Sequence, residues 1–383
     1  MSRLALVLLA VCGLDELASG VPFVGAPGIK SEFGLSYLAS AGGLLVTIQL
    51  LSMVIEPPLF MLADRYPRKW FVCGGLLVLA GVCVLASLAP VYWMLLVAVA
   101  LYGPASGMGV SLAQATLVDL YPEQRERMLT RWTLLGALGD LATPALFALL
   151  SWVALGWRAA FAVCGLGALS LAIGLLRHPF PGQQPDADEA REPGLYEALR
   201  TAFGNRALLL WLLAAWLCSL LDEIVVAFGA LYLREQFGAD AVARSLVLMS
   251  LMAGALLGLV LLDRGLSRYR PMVLLRLCST GAGIAYLAWL FAPTLVASGV
   301  CFFMTGVFAA PLYPLAKAQA YRALPGQSGM VNAVGAAFIP LDLLAPLLLG
   351  LVADRFGLVM TLLLLSVQPL GLLWVSLRWR SGL

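Results

Sequence analysis

Leu4-Ala5-Leu6-Val7-Leu8-Leu9-Ala10-Val11-Cys12-Gly13-Leu14-Asp15-Glu16-Leu17 opens the chain with an apolar run, reaching about Val24, that carries two adjacent carboxylates at its middle. A second run, from about Leu208 to Leu231, carries Asp222-Glu223 at the same depth. Each run has the roughly 20 residues that a helix needs to cross a hydrocarbon core. The acids therefore fall near a bilayer midplane, where one carboxylate costs about 2.5–3.5 kcal/mol and marks a candidate functional site.

Composition agrees with a membrane location. Of the 383 residues, 62% are apolar and 12% charged, and the mean hydropathy is +0.94, which describes a polytopic membrane protein with no soluble core. No basic block interleaved with aromatics stands outside the short loops, so nucleic acid is not an expected partner. Asp15-Glu16 interrupts what could pass for a signal-peptide core, so the first run reads as a retained helix. The seven cysteines lie in apolar segments without CxxC spacing and read as small buried hydrophobes. His178, the single histidine, falls at a helix end before a loop. Neither a metal site nor a cofactor is expected, and proton chemistry must rest on carboxylates.

Spanning-length runs recur near residues 4–24, 36–60, 70–89, 91–118, 130–152, 158–176, 207–232, 243–262, 272–291, 294–316, 329–352 and 358–377, an all-α architecture of about twelve transmembrane helices. Lys30, Arg158, Arg234, Arg244 and Arg355 are the basic residues that this threading places opposite the termini; the rest lie on or beside the terminus side. The positive-inside rule then places both termini in the cytoplasm, and a bacterial inner membrane is the expected location. The longest link is rich in Pro, Gln, Asp and Glu before an amphipathic piece. We read residues 1–177 as a six-helix bundle, 178–206 as a cytoplasmic connector with a short interfacial helix, and 207–383 as a second six-helix bundle.

The halves echo one another. Asp15-Glu16 answers Asp222-Glu223, Glu32-Phe33-Gly34 answers Gln236-Phe237-Gly238, Asp64-Arg65 answers Asp263-Arg264, and Asp140 four residues before Pro144 answers Asp342 four residues before Pro346. Four matches in one order, offset by about half the chain, indicate a duplication of six helices, and parallel halves around a midplane site are a secondary-transporter pattern.

Phe60-Met61-Leu62-Ala63-Asp64-Arg65-Tyr66-Pro67-Arg68-Lys69 resembles the loop 2–3 signature of the major facilitator superfamily, Gly-x-Leu-Ala-Asp-Arg-x-Gly-Arg-Arg/Lys, with Phe60 and Pro67 where the signature has glycines. The resemblance covers essentially the whole chain. It implies that helices 1, 4, 7 and 10 line a central cavity, that helices 2, 5, 8 and 11 lie between the halves, and that helices 3, 6, 9 and 12 face lipid. Residues 72–89, 159–176, 277–291 and 358–377, the lipid-facing class, carry no charge, whereas Asp15, Glu16, Glu56, Asp140, Asp222, Glu223 and Asp342 fall in the other classes. The resemblance also implies that Asp64, Arg65, Arg68, Asp263 and Arg264 form interface charge pairs.

Neighbouring helical residues point about 100° apart, so one acid of Asp15/Glu16 and one of Asp222/Glu223 should face the cavity while the other turns to a flanking helix. Paired carboxylates in a poorly solvated space suit proton exchange and attract cations. Asp140, Asp342 and Glu56 are candidates for coupling or for the interface between halves. No basic residue sits at the depth of the acids; Lys317 and Arg131 are the nearest, and both can snorkel to the interface. Phe23, Trp211, Trp216, Phe228 and Tyr313 could stack on a cation.

These features predict a monomeric, proton-coupled secondary transporter working by alternating access, with protons, a small molecule and the lipid bilayer as partners. A cationic or zwitterionic substrate, exported by proton antiport, is the favoured form. Proton-symport uptake of a metabolite or metal ion is the alternative, and a non-transporting assembly factor is the rival outside transport. No serine-histidine constellation, phosphate loop or HExxH motif supports an enzyme.

Overall fold

A computed structural model describes residues 2–35, 43–153, 155–180, 195–239 and 241–378. The described residues fold into helices, as the apolar runs require: in hydrocarbon every backbone N–H and C=O must be satisfied within its own segment. Twelve long helical segments follow in order: α1 (Arg3–Val24), α2 (Gly43–Arg65), α3 (Arg68–Leu88), α4 (Tyr92–Leu120), α5 (Pro122–Leu150), α6 (Trp157–Leu176), α7 (Arg206–Phe237), α8 (Ala243–Gly265), α9 (Pro271–Leu290), α10 (Leu295–Ala323), α11 (Ser328–Phe356) and α12 (Leu358–Arg378). Eleven of them, all except α2, are candidate membrane spans by length and hydropathy among the described residues. Helix α2 starts at Gly43, where the apolar run begins at 36; residues 36–42 lie outside the described residues. The end of the connector, Leu195–Gly204, is a short helix as expected, and residues 181–194 also lie outside the described residues.

By packing, the chain forms two compact units, and their boundaries are not colinear with the sequence. The first comprises Met1–Glu123, Leu135–Gly204 and Leu324–Ile339; the second comprises Gln124–Leu134, Asn205–Ala323 and Pro340–Leu383. The opening turns of α11 thus pack in the first unit and those of α5 in the second. Helix α11 changes character at this division, with a 3₁₀ turn over Ala336–Phe338 before the α-helix resumes at Ile339.

Within each unit the pairings repeat. In the first, α3 packs on α4 and α6, α2 on α4, and α1 on α6; in the second, α9 packs on α10 and α12, α8 on α10, and α7 on α12. The repeated Glu/Gln-Phe-Gly triplets occupy matching places. Gly34 (φ 62°) and Gly238 (φ 61°) each close a helix in the left-handed conformation, which glycine reaches without a Cβ penalty. Phe33 then packs at a tilt against Trp157 and Tyr92, and Phe237 packs edge-on against Tyr232.

Candidate functional site

The first unit separates Asp15 from Glu16. Asp15 faces α4: the Tyr102 hydroxyl donates to its Oδ1 at 2.7 Å and the Ser106 hydroxyl to its Oδ2 at 2.9 Å. Glu16 lies over α5, where a Cβ added at Gly136 or Gly139 would come within 3.3 or 3.0 Å of its side chain. A Cβ at Gly139 would also approach the Gly13 carbonyl to 2.3 Å, so this glycine permits the close approach of α1 and α5. Thr143, one turn further along α5, donates to the Leu17 carbonyl at 3.1 Å.

Glu56 comes to the same stretch of α4 from α2. A Cβ at Gly107 would sit 2.5 Å from its Cδ and 2.7 Å from its Oε1, and Ser52, four residues earlier on α2, hydrogen-bonds to its side chain. Two carboxylates therefore meet α4 at consecutive residues, Asp15 at Ser106 and Glu56 at Gly107, near enough to act on one another electrostatically. Helix α4 widens here into a π-helical turn over Gly107–Ser111, an irregularity that recurs at functional sites. One carboxylate fixed by two hydroxyls beside a second is an arrangement that can hold or exchange a proton. Asp140 is exposed on α5.

In the second unit the corresponding acids sit differently. Helix α7 is interrupted: its first α-helical part ends at Leu217, Cys218–Leu221 forms a 3₁₀ turn, and Asp222 (φ −115°, ψ −85°) precedes the helix that resumes at Glu223. Gln368 of α12 supports the break, its Oε1 accepting the Leu221 N–H at 2.7 Å. Asp222 is exposed at this break, and the side chain of Glu223 lies outside the described residues. Irregular backbone at membrane depth persists where protein or a polar cavity satisfies it. Asp342 on α11 accepts the Trp216 indole N–H at 2.8 Å, so Trp216 is engaged by a carboxylate, while Trp211 is buried.

The loop acids carry two further clusters. In the first unit Arg68 bridges Asp64 and Asp119. Asp64 also accepts the backbone N–H groups of Gly329 (2.9 Å) and Met330 (2.7 Å) at the start of α11, and Ser328 donates to Asp119 at 2.6 Å. A carboxylate against orphan N–H groups at a helix N-terminus is a favourable electrostatic arrangement. In the second unit Asp263 pairs with Arg127 (3.1 Å) and Arg131 (2.9 Å) from the start of α5. Glu126, only 3% exposed, pairs with Arg322 at 2.8 Å and accepts from Gln319 at 3.3 Å. Arg264 is exposed.

Tyr102, Ser106, Asp119, Glu126, Gln319 and Arg322 were not among the sequence candidates. The signal for Asp119 and Arg322 was present: each lies three residues before a proline, Pro122 or Pro325, at the matching ends of α4 and α10. Tyr102 and Ser106 carried none, since a hydroxyl in an apolar run is ordinary.

A family model described as the Major Facilitator Superfamily matches residues 8–341. Human protein spinster homolog 1 is 31% identical over 135 residues, which is 33% of this chain and 25% of the relative, so the match spans about a quarter of that protein's length. Among solved structures, the Escherichia coli fucose:proton symporter aligns with a TM-score of 0.77 at 16% identity, covering 99% of this chain and 98% of its own. A bacterial homologue of the iron transporter ferroportin, solved in an outward-facing state, aligns with a TM-score of 0.78 at 15% identity over 99% of each chain. At such identities the likeness establishes the fold. With the family match across most of the chain and eleven candidate membrane spans among the described residues, this integral membrane chain belongs to the Major Facilitator Superfamily of transporters.

Proposed function

We propose that this chain is a proton-coupled secondary transporter that moves a cationic or zwitterionic small molecule by alternating access, exporting it in exchange for protons. The observation that supports this reading is the pair of carboxylates on α4, with Asp15 held by Tyr102 and Ser106 and Glu56 against Gly107. Two acids in one protein-enclosed place bind a proton or a cation, and competition between those occupants is the chemistry of antiport. Asp222, exposed where α7 is interrupted, is the candidate proton-binding acid of the second unit, and Glu223 belongs to the same turn. Asp140 and Asp342 serve coupling, Glu16 packs α1 on α5, and the Asp64, Arg68, Asp263, Arg127 and Arg131 clusters hold the opening turns of α11 and α5. The protein acts as a monomer in a bacterial inner membrane, with both termini and the connector in the cytoplasm, as the distribution of Lys and Arg supports.

The test is a thermal-stability screen of the purified chain against organic cations, metal ions, zwitterions and anions at pH 6 and pH 8, for wild type and Asp15→Asn. Ligands that bind the folded state raise its apparent stability by mass action. A proton competes with a cation for a carboxylate, so the stabilising solute should act more strongly at pH 8 and lose that pH dependence in Asp15→Asn. Equal stabilisation of both proteins at both pH values refutes the reading.

A further inference from the structure

The second unit carries an ammonium group that no carboxylate answers among the described residues. Lys317 lies on the last turns of α10, in the helical stretch Leu312–Ala323, where Leu312, Pro314, Leu315, Ala316, Ala318, Gln319, Ala320 and Tyr321 are buried. Tyr313 and Lys317, one turn apart, are half-buried and share one partly accessible strip of that stretch. Among the described residues the Lys317 Nζ has neither an ion pair nor a hydrogen bond, and no acidic side chain is near enough to counter its charge; its recorded contact is the Tyr321 ring, 5.5 Å from Nζ to the centroid. The neighbouring cations differ: Arg322 is taken by Glu126, and Arg127 and Arg131 by Asp263.

Snorkelling to lipid headgroups is poorly served by this geometry. Six residues, about 9 Å of helix, separate Lys317 from the end of α10. Side chains on a helix lean toward its N-terminus, so this one starts away from the nearer end, and Tyr321 leans back over it from the following turn. A half-buried ammonium on a spanning helix carries a desolvation cost, which a solute can offset by bringing the missing negative charge. Resting on the transporter reading above, we propose that Lys317 is the docking point for an oxyanion of the transported solute, a carboxylate or phosphate group, with the Tyr321 ring holding the ammonium in place. The solute then carries an anionic group for Lys317 to meet, which favours the zwitterionic form of the proposed substrate.

The test uses the full chain in lipid-free detergent, with inorganic phosphate and acetate as probes and chloride at matched ionic strength as the control. Phosphate or acetate should raise the unfolding midpoint of wild type and Lys317→Arg by about 2 °C or more beyond chloride, and leave Lys317→Gln unmoved. In wild type, the same anions should slow acetylation of Lys317 by an amine-directed reagent at least fivefold, read by peptide mass spectrometry, which needs no folded Gln variant. An equal shift in Lys317→Gln, no protection from acetylation, or protection that appears only on adding phosphatidylglycerol overturns the proposal, the last result assigning Lys317 to lipid headgroups. Asp15→Asn should keep the anion response. If that response is present while no cation shows the pH-dependent stabilisation expected of wild type, the oxyanion site stands and the proton-coupled reading falls.

Discussion

Asp15 and Glu16 are adjacent in sequence yet serve different helices, because successive side chains on a helix diverge by about 100°. The sequence could say that they must part, but not which would turn where. That choice is made by Tyr102 and Ser106 on one side and by the glycines Gly136 and Gly139 on the other. The hydroxyls were illegible because Tyr and Ser in an apolar run look alike whether they hold a carboxylate or their own backbone. Glu56 was legible as an acid within an apolar run, a candidate for coupling or for the interface, whereas its place beside Asp15 depends on how α2 packs on α4. Gly107→Ala tests that place. The new Cβ would fall 2.5 Å from the Glu56 Cδ, and the far end of a flexible side chain can move aside, so the protein should fold normally with Glu56 displaced. Proton-coupled transport in proteoliposomes should fall on the order of 10- to 100-fold, as misplacing a functional group by about an ångström does. Unchanged coupling would remove Glu56 from the site.

Among the elements, the twelve apolar runs were legible because length and hydropathy alone make a spanning helix. The interruption of α7 was not, since Cys218-Ser219-Leu220-Leu221 is as apolar as the helix around it. What marks the break is a partner from another helix: Gln368 of α12, a polar side chain in a run that otherwise suits lipid, takes the Leu221 N–H. Gln368→Leu leaves that donor buried without an acceptor, which costs about 1–3 kcal/mol. The unfolding midpoint should fall by several degrees, while Gln368→Glu, read at pH 5 where a buried carboxyl is protonated and its carbonyl oxygen still accepts, should fall less. Equal losses in the two variants would mean that the side chain fills space and does not support the break.

Across the whole molecule, the duplication was readable from four repeated motifs, and the same helix pairings recur in both units. The division of α5 and α11 between units was not readable, because hydropathy ignores where a continuous helix changes neighbours. The loop acids Asp64 and Asp263 announced themselves through the family motif. Asp119, which shares Arg68 with Asp64, and the separate pair Glu126–Arg322 lie outside that motif; the proline three residues after Asp119 and after Arg322 is the signal that two of them carry. Asp64→Asn removes the charge that meets both Arg68 and the N-terminus of α11, leaving Arg68 with the Asp119 carboxylate and the Ala63 carbonyl. The expected loss is about 1–3 kcal/mol of stability, with cysteine labelling of residues 328–334 accelerated as that segment loosens. Labelling at the wild-type rate would show that Asp64 does not hold it.

In the proposed antiport, solute and proton compete for the Asp15 site. The direct measurement is proton release in weakly buffered solution at pH 7 when a solute that stabilises the protein is added. Release of protons by wild type, with strong attenuation in Asp15→Asn despite retained solute binding, is the expected result. Binding without proton release, or equal release from both proteins, would contradict it.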